Sequence, residues 1–197
     1  VGSVQEARAA AQDRSPDGKW RALIRDGQLM VEPAGGGAPR VVLRPAGPGE
    51  RLRGPFHWSP DSTKLIAYRE SVVDVRRIPI VSTMPKDSLQ PKLLEVVYPK
   101  PGDPLAKLRP CLIDVAGARE IEVSDVLFDN PWELRDGGWG ADSAEFSFVY
   151  NQRGHQCMRV LGVRGDTGSV RVMLEETSRT FIDYSQKYFF RRIEGGK

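Results

Sequence analysis

The chain has 197 residues and a net charge of +3, with 40% hydrophobic and 28% charged side chains, 20 Gly and 15 Pro. No stretch approaches the roughly 18 consecutive apolar residues of a transmembrane helix. The basic residues are spread along the sequence rather than gathered with exposed aromatics, which argues against a nucleic-acid-binding face.

The chain opens VGSVQEARAA, without Met or the apolar core of a signal peptide, as a processed protein or a piece of a longer one would. Residues 4–13 are Ala-rich and are the one stretch compatible with a helix. Residues 1–14 read as an N-terminal extension and 15–197 as one domain. At Ser15 comes SPDG, where Pro16 pre-sets φ for a turn and Asp17 and Gly18 suit its remaining positions. WRALIRDGQLMVEP then reads as two strands around Asp26-Gly27, a strong type I′ signal. GGGAPRVVL supplies a third strand, with Gly35-Gly36-Gly37 as a flexible connection, since no strand-to-helix context for a phosphate-binding loop surrounds it.

WSPDS follows at Trp58, then the short strand KLIAY, apolar on both faces as in a strand sandwiched between neighbouring sheets. The segments RRIPIV and LLEVVY look like strands. Around them STMPKDSLQPK and PKPGDPLAKLRP are Pro-rich and loop-like. CLIDVAGAREIEV is a hairpin. WGADSAEFSFVY repeats the turn-then-strand phrase, and MRVLGVRGDTGSVRVMLEE is a hairpin turning at Gly165–Ser169. Gly195-Gly196 suits one more turn.

The phrase begins at Ser15, Ser59 and Gly140, so the copies stand 44 and 81 residues apart. A period of about 40–45 residues is that of a propeller with four-stranded blades. An elaborated blade within residues 70–110 would account for the doubled second interval. The expected fold is therefore all-β, a partial β-propeller of about four blades, half of an eight-bladed ring. The Trp preceding two of the copies would anchor its loop against the core; an exposed Trp at a binding site is the rival reading.

WSPDSTKLIAYR, then VVYPKPGDP, then FSFVYNQRGHQCMRVLGV resembles the N-terminal propeller of bacterial dipeptidyl peptidase IV-like serine peptidases of the prolyl oligopeptidase clan. EETSRTFIDYSQKYFF resembles the blade that follows in that family. The resemblance implies a propeller that caps a C-terminal α/β-hydrolase domain carrying Ser, Asp and His. It also implies peptide substrates that enter between the two domains, held at their amino terminus by a Glu-Glu pair of the propeller.

Two departures qualify what carries over. No G-x-S-x-G nucleophile elbow occurs in these 197 residues, so no catalytic residue is assigned. The Glu-Glu pair belongs ahead of the W-S-P phrase, where the chain reads GPGERLRGPFH with the single Glu50. Glu175-Glu176 falls in the wrong part of the pattern and reads as an exposed strand end. Substrate-binding residues are thus left unknown.

His57 and His155, the only histidines, read as structural or loop residues. Cys111 and Cys157 sit in apolar runs without metal-ligand spacing, so buried free thiols are the simpler reading, with a disulfide as the other one left open. Asp61, Asp74, Asp114, Asp125, Asp129, Asp142 and Asp166 lack calcium-loop spacing, and no metal or cofactor is expected. Asp61 and Asp142 recur at equivalent turn positions, which points to hydrogen bonding within each turn. Arg164-Gly165-Asp166 spells an adhesion tripeptide, but its Gly and Asp are already demanded by the turn.

The expectation is thus a propeller fragment that restricts and orients peptides for a hydrolase domain this sequence does not contain, inactive alone. Its expected partners are peptide substrates, that hydrolase domain and a second copy, because an open half-ring exposes blade faces and edges. The family resemblance points to a periplasmic or exported protein. The alternative is a non-enzymatic binding module of the periplasmic Tol type, in which YPKPGDP and YNQRGHQ are not expected.

Overall fold

A computed structural model describes residues 13–183. Asp13 apart, the stretch 4–13 lies outside them, as does Gly195-Gly196. The described residues form thirteen strands and no helix. β1 (Trp20–Arg25), β2 (Gln28–Pro33) and β3 (Arg40–Leu43) make a three-stranded antiparallel sheet, blade 1. Asp26 and Gly27 both have positive φ, as a type I′ turn requires, and join β1 to β2. Arg14 pairs with Arg21 across the other edge of β1.

Blade 2 contains β4 (Glu50–Trp58), β5 (Lys64–Ser71), β8 (Leu108–Asp114) and β9 (Arg119–Ile121), hydrogen-bonded in that order. Between β5 and β8 the chain leaves the sheet as a separate hairpin, β6 (Arg77–Ser82) and β7 (Lys92–Val97), which pair only with each other. Blade 3 is a meander of β10 (Pro131–Trp139), β11 (Glu145–Gln152), β12 (Cys157–Arg164) and β13 (Val170–Thr177).

The 81-residue interval between the second and third phrases is therefore one enlarged blade. The described residues hold three blade sheets and an inserted hairpin, and the sheets do not close into a ring. The elaborated blade expected within residues 70–110 is blade 2, enlarged by the β6–β7 hairpin and its Pro-rich flanks.

The core lies between the blades. Along β5 Leu65 and Ala67 pack toward blade 1, with Val31, Leu43 and Trp58, while Ile66 and Tyr68 pack toward blade 3, with Phe146, Phe148 and Leu161. Leu65, Ile66 and Ala67 are wholly buried, which is why this strand is apolar at successive positions. Burying a Leu or Ile side chain contributes roughly 1.5–3 kcal/mol, so the sheets are held face to face mainly by this layer.

The repeated phrase forms the same turn three times. The amides of Gly18, Ser62 and Ser143 donate to the carbonyls of Ser15, Ser59 and Gly140, at 2.9, 2.8 and 3.0 Å. The Ser15 and Ser59 hydroxyls each donate to the Asp two residues on, at 2.6 Å, and accept the amides of Trp20 and Lys64 at 2.9 Å. In the third copy Gly140 has no hydroxyl. Its Asp142 carboxylate occupies that space, and a Cβ on Gly140 would lie 2.9 Å from Asp142 Oδ1.

The second and third turns are each also tied to the turn of the preceding blade. Asp17 N–H donates to Ser62 Oγ (3.1 Å) and Asp61 N–H donates to Ser143 Oγ (3.0 Å). The indole N–H of Trp58 donates to the Asp13 carbonyl (3.4 Å), and that of Trp139 to the His57 carbonyl (2.9 Å). The two tryptophans anchor their loops against the core, as expected, and their indole hydrogen bonds reach the neighbouring blade as well. Ser62 and Ser143 occupy left-handed backbone, with φ of 62° and 60°, where Gly18 stands in the first copy.

Replacing the buried Ser59 (S59A) removes a hydroxyl that serves one donor and one acceptor, and should lower stability by about 1–3 kcal/mol in urea unfolding. A change within about 0.5 kcal/mol, the range of ordinary surface substitutions, would show that the turn does not depend on it.

Candidate functional site

The turn phrases occupy one rim of the arc, where β4 and β10 end and β5 and β11 begin. At the opposite rim the sheets carry charged side chains, most of them paired. Glu50, at the start of β4, accepts the Ala46 amide at 2.9 Å and Arg69 Nη1 at 3.1 Å. These bonds hold its carboxyl below the ordinary glutamate value of 4.5, the Ala46 amide contributing most. Glu70 is buried and accepts Arg53 Nη1 at 2.9 Å as well as Arg51 Nε. Burial raises its pKa, but the two guanidinium groups overcome this and leave it lowered.

Arg69 additionally pairs with Glu120 at 2.5 Å and donates from Nε to Cys111 Sγ at 3.2 Å. With Arg109, Glu122 and Val123 these groups border a shallow pocket of about 290 Å³. Burial pushes the Cys111 thiol up to about 12, so it is protonated and a poor nucleophile at neutral pH. Cys111 and Cys157 are both buried and free.

A larger cleft, about 380 Å³, opens where blade 2 meets blade 3. Ser71, Lys107, Asn130 and Arg153 supply polar groups, and Val73, Pro104, Leu105 and Pro131 supply apolar walls. Two irregular sequence segments build it. In YPKPGDP, Asp103 closes the turn by accepting the Lys100 amide at 2.8 Å and both Arg76 Nε and Nη2, at 2.7 and 2.8 Å. The Arg76 bonds come first in holding the Asp103 carboxyl far below the usual carboxylate range. In YNQRGHQ, Arg153 Nη2 donates to the Asp103 carbonyl at 2.7 Å, joining the two segments directly. Tyr150 is buried and donates to the Asn130 carbonyl at 3.3 Å, on the same side of the cleft.

The histidines sit in aromatic surroundings. His57 packs against Tyr68 and Phe146, with ring centroids 5.9 and 5.3 Å away. Gly137 lies over this group, where a Cβ would meet Phe146 at 2.7 Å and the Tyr68 hydroxyl at 3.0 Å. His155 meets Trp132 and Phe181 edge-on at 5.3 Å each, and burial lowers its pKa.

The other candidates engage neighbouring groups. Arg164 and Asp166 bind each other through two hydrogen bonds, 3.0 and 2.6 Å long. Glu175 pairs with Arg159 on the adjacent strand. Asp61 and Asp142 accept amides inside their own turns, the role their recurrence suggested. Asp114 and Asp125 are paired with basic side chains. Among the described residues no three His, Cys, Asp or Glu side chains gather as a metal would need.

Sequence reasoning did not single out Ser71, Lys107, Asn130 or Arg153. Arg153 lies inside a segment that carried the family resemblance, yet nothing local shows that its side chain spans fifty residues of sequence to reach Asp103. Lys107 stands in a Pro-rich loop without periodicity.

Antiparallel blade sheets stacked face to face, each tied to the next by the same turn, define a domain of the β-propeller class. The chain belongs to the family of dipeptidyl peptidase IV N-terminal regions, whose model matches residues 53–196. Two solved structures resemble it. Dipeptidyl peptidase 4 of Porphyromonas gingivalis has a TM-score of 0.63 and 17% identity, over 86% of this chain and 26% of that one. A Bacteroides ovatus protein described as a dipeptidyl aminopeptidase IV has a TM-score of 0.60 and 17% identity, over 85% and 24%. At that identity the likeness carries the fold, and the chain spans about a quarter of each of those proteins. No curated protein matches it.

Because the folded-state pKa values of Glu50 and Glu70 are lowered, their stabilisation is fully present above the ordinary glutamate range and is lost as pH falls through the lowered values. The urea midpoint should therefore drop steeply as the buffer is taken below pH ~4.5. E70Q should start from a lower midpoint and show a flatter acid limb; an acid limb identical to that of the native chain would rule out Glu70 as a contributor.

Proposed function

We propose that this chain is the propeller portion of a dipeptidyl peptidase IV-like serine exopeptidase, and that it restricts and orients peptide substrates for a C-terminal α/β-hydrolase domain. The observation that carries this reading is the family match over residues 53–196. The meeting of YPKPGDP and YNQRGHQ in one cleft supports it, because the two segments that resemble the family then build a single surface.

The peptide's amino terminus is not held by Glu50 in this reading. The resemblance implies a Glu-Glu pair, whereas Glu50 is a single carboxylate whose Oε2 accepts the Ala46 amide and Arg69 Nη1. Glu175 is bound to Arg159 on the outer part of blade 3, remote from the cleft in the sheet order. Amine recognition is therefore assigned to neither of them.

Catalysis would come from elsewhere, since these 197 residues contain no G-x-S-x-G elbow. The chain alone should release no 4-nitroaniline from Ala-Pro or Gly-Pro 4-nitroanilide above the buffer rate. Sustained turnover that survives purification to homogeneity would sink the reading.

The open arc should also self-associate. β13 is the outermost strand of its sheet and exposes Val172, Met173 and Leu174, and exposed apolar edges favour pairing with another chain. Sedimentation at tens of micromolar should show dimers or larger species; a single monomer boundary would refute this.

A further inference from the structure

We propose that the cleft between blades 2 and 3 is a carboxylate-binding site, in which Lys107 and Arg153 take the carboxylate of a short peptide or peptide-like acid and the proline-rich walls take its apolar body. The charge arrangement is the first reason. Around this rim Arg51, Arg53, Arg69, Arg76 and Arg109 are each paired with a carboxylate. Lys107 and Arg153, both half-buried, have no carboxylate partner among the described residues.

Their existing bonds position them without neutralising them. Lys107 Nζ donates to the Asp129 carbonyl at 3.0 Å, and Arg153 Nη2 donates to the Asp103 carbonyl at 2.7 Å. An ammonium has three donors and a guanidinium five, so each keeps N–H groups for a ligand. Asp103 does not compete, because its carboxylate is spanned by Arg76. The positions are also fixed from behind: Lys107 and Ser71 exchange two hydrogen bonds, and the Arg153 amide donates to the Asn130 carbonyl.

The lining selects among anions. Phosphate sites are commonly built from clustered free backbone amides, but here the amides of Ser71, Lys107 and Arg153 are all engaged. Two cationic side chains facing Pro104, Leu105 and Pro131 suit instead an acid with an apolar body, for which a guanidinium offers bidentate recognition. A volume of about 380 Å³ is within the range of small-molecule sites.

The assignment stands on this cleft and not on the peptidase reading, so turnover of Ala-Pro anilides would leave it untouched. The test is calorimetric titration of the whole chain with acetyl-Ala-Leu-Leu as the free acid, as its amide, and with inorganic phosphate. The acid should bind at least about tenfold more tightly than the amide, the equivalent of one charge-assisted contact. K107Q should lose most of the acid affinity while keeping the native thermal midpoint, and K107R should retain it. R153K, which keeps the charge, provides a second readout with a milder loss. Equal binding of acid and amide overturns the proposal, as does no binding of the acid at millimolar concentration or tighter binding of phosphate than of the acid.

Discussion

A serine hydroxyl in left-handed backbone accepts the amide of an aspartate from the turn one blade earlier, and beside it a tryptophan indole reaches a carbonyl of that same earlier blade. This pair of bonds occurs twice, from blade 2 to blade 1 and from blade 3 to blade 2. Packing of apolar faces is non-directional and would allow neighbouring sheets to slide or rotate. The hydrogen bonds fix their register at one rim, and everything at the other rim depends on that register. A non-glycine residue with positive φ is uncommon, and Ser62 and Ser143 hold it where their side chains make the link.

With the sheets fixed at the turn rim, the opposite rim can afford irregular structure. The inserted hairpin leaves blade 2 there and returns through the turn that Asp103 and Arg76 close. Arg153 of blade 3 then meets that turn's backbone, so the cleft is walled by two blades and a loop. Its shape follows from blade spacing, and its charge from the absence, among the described residues, of a carboxylate paired with Lys107 or Arg153. The acidic residues that could have served as ligand groups, Glu50 and Glu70, are bound instead to neighbouring arginines.

Much of the fold was legible because its causes are local. Asp26-Gly27 demanded positive φ at both positions and has it. KLIAY is apolar at successive positions because both faces of β5 meet another layer, with Leu65 and Ile66 buried on opposite sides of it. The turn phrase recurred with its hydrogen bonds intact except where Gly140 replaced the serine. The insertion was legible only as a doubled interval, because strands that pair only with each other look, in sequence, like part of a blade. The cleft was not legible, since the partners of Lys107 and Arg153 are main-chain carbonyls, which every residue possesses and no motif marks.

The sequence by itself determined the class of fold, the positions of the three turns and the family, because turn propensities, strand patterning and short irregular motifs act over a few residues. Only the tertiary structure decided which blade each turn serryl and tryptophyl group would bind, that Glu50 is engaged, and that two segments fifty residues apart share one surface. Those outcomes depend on the spacing and rotation between stacked sheets, quantities set by whole-face packing and by hydrogen bonds that cross from one blade to the next.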